Sequence, residues 1–264
     1  MKHISDRLFE PENVAKMAHE FVTNHPYPHI IIDNFLKPES ASAAFEKFPA
    51  YEQFNKKYKG LNERKAEGSN IQDFDPVYSE IIGELSSSEM YKWIQQVCNI
   101  KEEVVMTDDA EGRGLHMGGK GSFLDIHIDF NIHRKLNLHR RLNILVYLNK
   151  EWKTEYGGGL EMWNVDVTKM EKVAEPKFNR CLIFETSEIS YHGYGRINIP
   201  EHESRKSIYG YYYTKTREGA VPYHDTIFKT RPEEGRIKAI KTDLKEKAKN
   251  TVKRVLKKVG ITFK

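Results

Sequence analysis

Two residues on one short run are placed to do chemistry. In FLDIHIDFN, residues 123–131, a strand alternates its side chains between faces. Leu124, Ile126, Ile128 and Phe130 then share one face, and Asp125, His127 and Asp129 share the other. His127 and Asp129 form H-x-D, an imidazole and a carboxylate aimed the same way. With a second histidine, such a pair completes the two-histidine, one-carboxylate set that suits ferrous iron and leaves coordination positions open. Alone the pair is weak, because a partly exposed strand carries the same pattern by chance.

The third ligand has to come from another strand. The downstream candidates are His133, His139, His192, His202 and His224. His133 and His139 lie in IHRKLNLHRR, a polar stretch that reads as a surface loop. His202 sits between glutamates, and His224 follows a proline. His192 ends a β-run in SYHGYG, where it reads either as a ligand or as a barrel-end histidine. A second cluster lies in RKSIYGYYYT, residues 205–214, where Arg205 and Ser207 share a face. An inward arginine needs an anion, because a buried unpaired charge is costly, and a guanidinium matches a carboxylate with two parallel hydrogen bonds. On RRLNILVYLN, Asn143, Leu145 and Tyr147 share a face, so Tyr147 can reach the same anion. The alternative is that Arg205 pairs with a structural Asp or Glu.

Taken in order, HIDF, LVYLNKEW, GGGLEMW, PKFNRCLIF, YHG and RKSIYGYYY resemble the Fe(II)- and 2-oxoglutarate-dependent oxygenases, in particular the prolyl 4-hydroxylase-like branch, over about residues 110–215. The resemblance implies that His127, Asp129 and His192 hold iron. It implies that Arg205 binds the distal carboxylate of 2-oxoglutarate, with Tyr147 beside it and Ser207 as a further donor. Arg205 follows His192 by thirteen residues, a longer gap than is common in hypoxia-type members, and Arg196 and Lys206 are the neighbouring alternatives. The cofactors implied are Fe(II), 2-oxoglutarate and O2, with ascorbate as a further candidate. The reaction implied is hydroxylation of a C–H bond with release of succinate and CO2. A prolyl residue or free proline is the first candidate substrate; other small molecules, sugars and lipids stay open. A metal- or ligand-binding barrel without turnover and a metal-dependent hydrolase are the competing classes.

The elements that must position these residues are legible as patterns. Residues 11–23 predict a helix with Pro near its start, 29–36 a buried strand and its exit, and Pro38 to Phe48 another helix. Residues 76–98 predict two helices with SSSE as the capping signal between them. After residue 110, SFLDIHIDF, RLNILVYLN, GGLEMWNV, NRCLIFET, ISYHGYG and KSIYGYYYTK predict at least six strands, hence a sandwich or barrel. The expected fold is mainly β with flanking helices: a double-stranded β-helix (jelly-roll) barrel at 111–230, an N-terminal helical support segment at 1–110 with a strand near 29–33, and a basic amphipathic C-terminal helix at 231–264. GLHMGGK, 114–120, lacks the Ser or Thr and the helix that a phosphate loop requires, and reads as a flexible mouth of the pocket with His116 and Met117 near substrate. Gly157–Gly159 reads as a turn, Trp152 and Trp163 as packing residues, and Asp125 as a rim carboxylate or a partner of the metal ligands.

Composition narrows the class further. The 264 residues include 13 Phe, 14 Tyr and 3 Trp, enough to fill a core. No run of eighteen apolar residues predicts a membrane span. The N-terminus lacks a signal-peptide core and there are two cysteines, so a cytoplasmic setting is expected. The net charge of +4 is uneven: residues 236–264 hold 11 Lys/Arg and 2 Asp/Glu, a net of +9, which leaves −5 for residues 1–235. Within that tail Ile237, Ile240, Leu244, Ala248, Val252, Val255, Leu256 and Val259 make a helical stripe. It is expected to pack on the body first, with an anionic membrane surface, an acidic partner or nucleic acid as alternatives. The substrate is expected to be a small molecule or a peptide.

Overall fold

The computed structural model describes residues 1–235 and 237–245. Its helices are α1 (Pro11–Thr23), α2 (Pro38–Glu46), α3 (Pro76–Leu85) and α4 (Ser88–Val97), with a fifth, α5, over 237–245. Proline opens α1, α2 and α3, where its missing N–H costs nothing. Asp75 and Ser87 cap α3 and α4, accepting from the backbone N–H groups of Val77 (3.1 Å) and Met90 (3.2 Å).

The strands are β1 (His29–Asp33), β2 (Lys56–Lys59), β3 (Glu63–Gly68), β4 (Val104–Met106), β5 (Arg113–Gly118), β6 (Phe123–Ile128), β7 (His139–Tyr147), β8 (Leu160–Trp163), β9 (Met170–Ala174), β10 (Arg180–Glu185), β11 (His192–Tyr194), β12 (Arg205–Thr214) and β13 (Ile227–Phe228). They pair in the order β1-β10-β7-β12-β5-β3-β6-β11-β8-β9, with β2 on β3, β4 on β12 and β13 on β6. This is the jelly-roll barrel that the sequence predicts.

Period-two alternation decides what each face buries. On β7, Leu142, Ile144 and Val146 turn outward with Cys181, Ile183, Ile208 and Tyr212 and pack on Ile82, Leu85, Trp93, Ile94 and Val97 of the helices. Leu145 and Tyr147 turn inward with Leu182, Phe184 and Tyr209 and meet Leu160, Met162 and Ala174 from the opposite layer. Each fully buried Leu or Phe contributes about 1.5–3 kcal/mol, so helices and barrel stabilise one another. The first 110 residues supply four strands as well as helices. β1 adds to the sheet edge through Ile30↔Ile183, and β3 bridges β5 and β6.

Three expectations are corrected. GLHMGGK is not a flexible mouth; most of it is β5, hydrogen-bonded to β3 and β12. Asp125 is not a rim carboxylate. It is 1% exposed and sits with Asn62 Nδ2 (3.1 Å) and Lys238 Nζ (2.8 Å). Burial raises its pKa against the opposing pull of Lys238. The basic helix does meet the body over 237–245, but through the face opposite to the one expected. Thr242 is buried, while Ile237, Ile240 and Leu244 are 72%, 59% and 64% exposed. The rest of the stripe, from Ala248 onward, lies outside the described residues.

Candidate metal centre and the buried arginine beside it

β6 and β11 lie side by side with His127 opposite His192 in register. Their rings approach to 4.2 Å between centroids. Asp129, one residue beyond β6, completes the group: its Oδ1 is 3.6 Å from His127 Nε2 and its Oδ2 is 3.5 Å from His192 Nε2. One ligand atom from each residue lies within 4.8 Å of the others, a spacing that fits a single metal ion. Each histidine is turned by the same device. His127 Nδ1 donates to Asp125 O (2.9 Å) and His192 Nδ1 to Ser190 O (2.8 Å). A carbonyl accepts only, so both Nε2 atoms keep their lone pairs for the centre. Burial, then the neighbouring His127, lowers the pKa of His192 to about 3, so its imidazole is neutral at physiological pH. Burial alone would raise the Asp129 carboxyl, but Arg140, His192 and His127 together hold it well below the usual range.

Arg140 and Asn143 are the functional neighbours that sequence reading missed. Asp129 Oδ2 accepts from Asn143 Nδ2 (2.8 Å) and pairs with Arg140 Nη2 (3.2 Å). Arg140 is 1% exposed, donates to Asn143 Oδ1 from Nε (3.0 Å) and Nη2 (2.6 Å), and stacks on the rings of Tyr211 (3.5 Å) and Phe130 (4.5 Å). The inward face shared by Asn143 and Tyr147 was the available signal.

Of the other histidines, none joins the centre. His133 is not on the surface. It is fully buried, with Nε2 on Asp109 Oδ2 (3.1 Å) and Nδ1 accepting from the backbone N–H groups of Lys135 and Leu136, so it closes the loop between β6 and β7. His224 turns to Glu188 (2.9 Å), His202 is exposed, and His139 opens β7.

Arg205 opens β12 and is 5% exposed. It points inward with Ser207, which faces Tyr147 across the β12–β7 ladder. Its Nε donates to Gly158 O (2.7 Å) and its Nη2 to the Tyr147 hydroxyl (3.3 Å), and its guanidinium lies over the rings of Tyr194 (4.5 Å) and Tyr147 (4.9 Å). Among the described residues no carboxylate lies within 4.0 Å of it. Ser207 Oγ and Tyr209 OH, the next two inward groups on β12, are buried with no hydrogen-bond partner among the described residues, although the Glu67 carboxylate lies near enough to Tyr209 to help raise its pKa. His116 stacks on Tyr209 at 4.0 Å, and burial lowers its pKa to about 4. The alternatives to Arg205 point elsewhere: Arg196 lies over Phe123 and donates to Gly121 O, and Lys206 reaches Phe45 on the outer face.

A cavity of about 450 Å³ opens in front of the centre, with His127, Asp129, Arg140 and Tyr211 at its floor and Lys56, Tyr58, Glu67 and Arg134 among its walls. A second, of about 340 Å³, shares Asp129, Phe130 and Arg140 with it.

Gly193 lets β11 approach β6. A Cβ there would lie 2.7 Å from Leu124 O and 2.9 Å from Asp125 O, the carbonyl that orients His127. Gly193→Ala is expected to cost roughly 1–3 kcal/mol in urea unfolding and to weaken metal binding by parting the two histidines. Unchanged stability and metal affinity would show that the strands tolerate the wider spacing.

Residues 113–213 match the model of the 2OG-Fe(II) oxygenase superfamily. The structure resembles a Pseudomonas putida prolyl-4-hydroxylase (TM-score 0.53, 16% identity, covering 76% of this chain and 99% of that one). It also resembles a Trichoplax adhaerens prolyl hydroxylase solved with a hypoxia inducible factor peptide fragment (TM-score 0.55, 19% identity, 80% and 94% covered). A 2OG-Fe(II) oxygenase family oxidoreductase from Burkholderia pseudomallei matches at TM-score 0.52 and 12% identity, with 78% and 92% covered. The fold is thus the prolyl 4-hydroxylase-like form of the barrel. No curated protein matches the chain in sequence.

Proposed function

We propose that the protein is an Fe(II)- and 2-oxoglutarate-dependent dioxygenase that hydroxylates a C–H bond and releases succinate and CO2. His127, Asp129 and His192 hold the metal. Arg205, with Tyr147 and Ser207, holds the distal carboxylate of 2-oxoglutarate. Iron bound there supplies activation of O2 coupled to oxidative decarboxylation of 2-oxoglutarate.

The observation that carries this reading is Arg205. A buried guanidinium that has no carboxylate among the described residues, with the buried Ser207 hydroxyl on the same face and without a hydrogen-bond partner among them, is an incomplete anion site. A keto diacid would complete it, its far carboxylate held by the fork of Arg205 and its keto acid end by the metal. A hydrolase gives Arg205 no such role. The chain's own groups do the positioning. Ser190 O and Asp125 O fix the ring tautomers, Asn143 and Arg140 fix Asp129, and Tyr147 and Gly158 O fix Arg205. The cavity walls carry charged and hydroxyl side chains, which favours a polar small molecule or a peptidyl group such as proline over a bare lipid chain. Ascorbate is proposed only as a reductant that maintains Fe(II). Two buried free thiols, Cys98 and Cys181, fit a reducing, cytoplasmic setting, and among the described residues no helix is long and apolar enough to cross a membrane.

The test is an anaerobic titration of the metal-free chain with Fe(II) and then 2-oxoglutarate. A weak visible charge-transfer band is expected on adding the keto acid. A folded, iron-loaded protein that shows no band rejects the cosubstrate.

A further inference from the structure

We propose that the outward face of α5 docks on an anionic lipid bilayer. The inference rests on α5 and the charge of the chain, not on the reading of the metal centre.

The helix is held by its polar side. Lys238 Nζ sits 2.8 Å from the buried Asp125 carboxylate, and Asn62 Nδ2 donates to Thr242 Oγ1 at 3.0 Å. Asp125 and Asn62 are each 1% exposed and Thr242 is fully buried. These contacts set the rotation of the helix, since residues three and four apart share a face. Ile237, Ile240 and Leu244 must then line the opposite side, and they are 72%, 59% and 64% exposed. Scattered exposed apolar residues are ordinary, but a row on one helix face marks an interaction surface. Lys241 is exposed along one flank of the row and Asp243 along the other.

Charge selects the occupant. Residues 236–264 carry a net of +9 against −5 for residues 1–235. An anionic surface therefore attracts this end of the molecule and repels the rest, which orients the approach. An apolar row flanked by Lys241, in a segment as rich in lysine as 236–264, is the pattern of a helix that lies in a bilayer interface. Packing on the protein's own body would bury the row, and among the described residues the row faces away from it. Duplex nucleic acid answers to the cations but has no use for Ile and Leu on an outward face. Docking has a geometric consequence, because Lys245 of the same helix lines the cavity in front of the metal centre. The cavity mouth would then open at headgroup level.

The experiment is flotation of the full chain with large unilamellar vesicles of phosphatidylcholine alone and of equimolar phosphatidylcholine and phosphatidylserine. Binding to the anionic vesicles is expected, at about tenfold or more over the neutral ones. The double substitution Ile240→Ser with Leu244→Ser leaves the charge unchanged and should reduce that binding by about tenfold, with the thermal melt of the variant as its folding control. Three results would overturn the proposal. They are a wild type that binds neither vesicle; a folded double variant that binds as well as the wild type, leaving a purely ionic contact; and duplex DNA that competes the protein off the vesicles, making nucleic acid the better ligand.

Discussion

Arg205→Ala is expected to raise the dissociation constant for 2-oxoglutarate by about a hundredfold or more. Losing the cation of a buried, hydrogen-bonded charge pair costs roughly 3–5 kcal/mol, and each 1.4 kcal/mol is about a factor of ten. The unliganded protein should barely notice the change. Among the described residues Arg205 has only Gly158 O and the Tyr147 hydroxyl as hydrogen-bond partners, with two tyrosine rings against its plane. Melting of the ligand-free chain should therefore stay near the wild-type value, while the stabilisation that 2-oxoglutarate confers disappears. Arg205→Lys keeps the charge but not the fork and should fall between. Calorimetric titration of 2-oxoglutarate into the Mn(II)-loaded chain measures all three. Equal affinity in wild type and Arg205→Ala would remove the anion site from the reading and promote a hydrolytic or non-catalytic barrel.

Asp129→Ala and His192→Ala should both abolish metal binding in a micromolar Co(II) titration, yet differ in stability. Asp129 is the only carboxylate within ion-pair distance of Arg140 among the described residues, and Arg140 is 1% exposed. Its removal strands a buried guanidinium, which costs roughly 3 kcal/mol or more. His192 is neutral, so its loss strands no charge and leaves a cavity beside Phe184 and His127 instead. Asp129→Asn should recover part of the stability without the metal, because an amide oxygen can still accept from Arg140. Urea unfolding of the metal-free variants separates the cases. If Asp129→Ala proved as stable as His192→Ala, Arg140 would be sufficiently held by Asn143 and its aromatic neighbours.

What the sequence reveals follows from which interactions are local. β7, β10 and β12 alternate cleanly because each buries both faces, one on the helices and one inside the barrel, and β6 buries Ile126 against Trp163 and Val167 while His127 faces the centre. The H-x-D pair is legible for the same reason. β2 and β3 are not, since KKYK and ERKAEG carry charges where alternation would need apolar residues. Those charges line the cavity in front of the centre, where Lys56 meets Glu67 at 3.0 Å. β5 reads as a loop because of its glycines, and the glycines are there for packing. A Cβ at Gly114 would lie 2.6 Å from both Gly68 O and the Tyr209 ring. Arg140 sits in a run that looks like solvated loop, and its partners come from Asp129, Asn143 and Tyr211. The turn of α5 was invisible for a similar reason: Asp125 and Asn62, which seize its polar side, are far away in the chain.

The pairing of β13 sets the shortest length at which this barrel can be made. One edge of His127 is taken by His192 and the other by Phe228, and the Lys229 N–H donates to Ile126 O. Farther on, Arg231 is ion-paired to Glu161 on β8. A truncation after residue 215 would retain every residue matched by the superfamily model and all six residues of the proposed metal and anion sites. It would still bare the backbone of the ligand-bearing strand, and an open edge of that kind invites pairing with another molecule. Such a fragment should accumulate as aggregates, so the smallest autonomous unit reaches at least through Arg231.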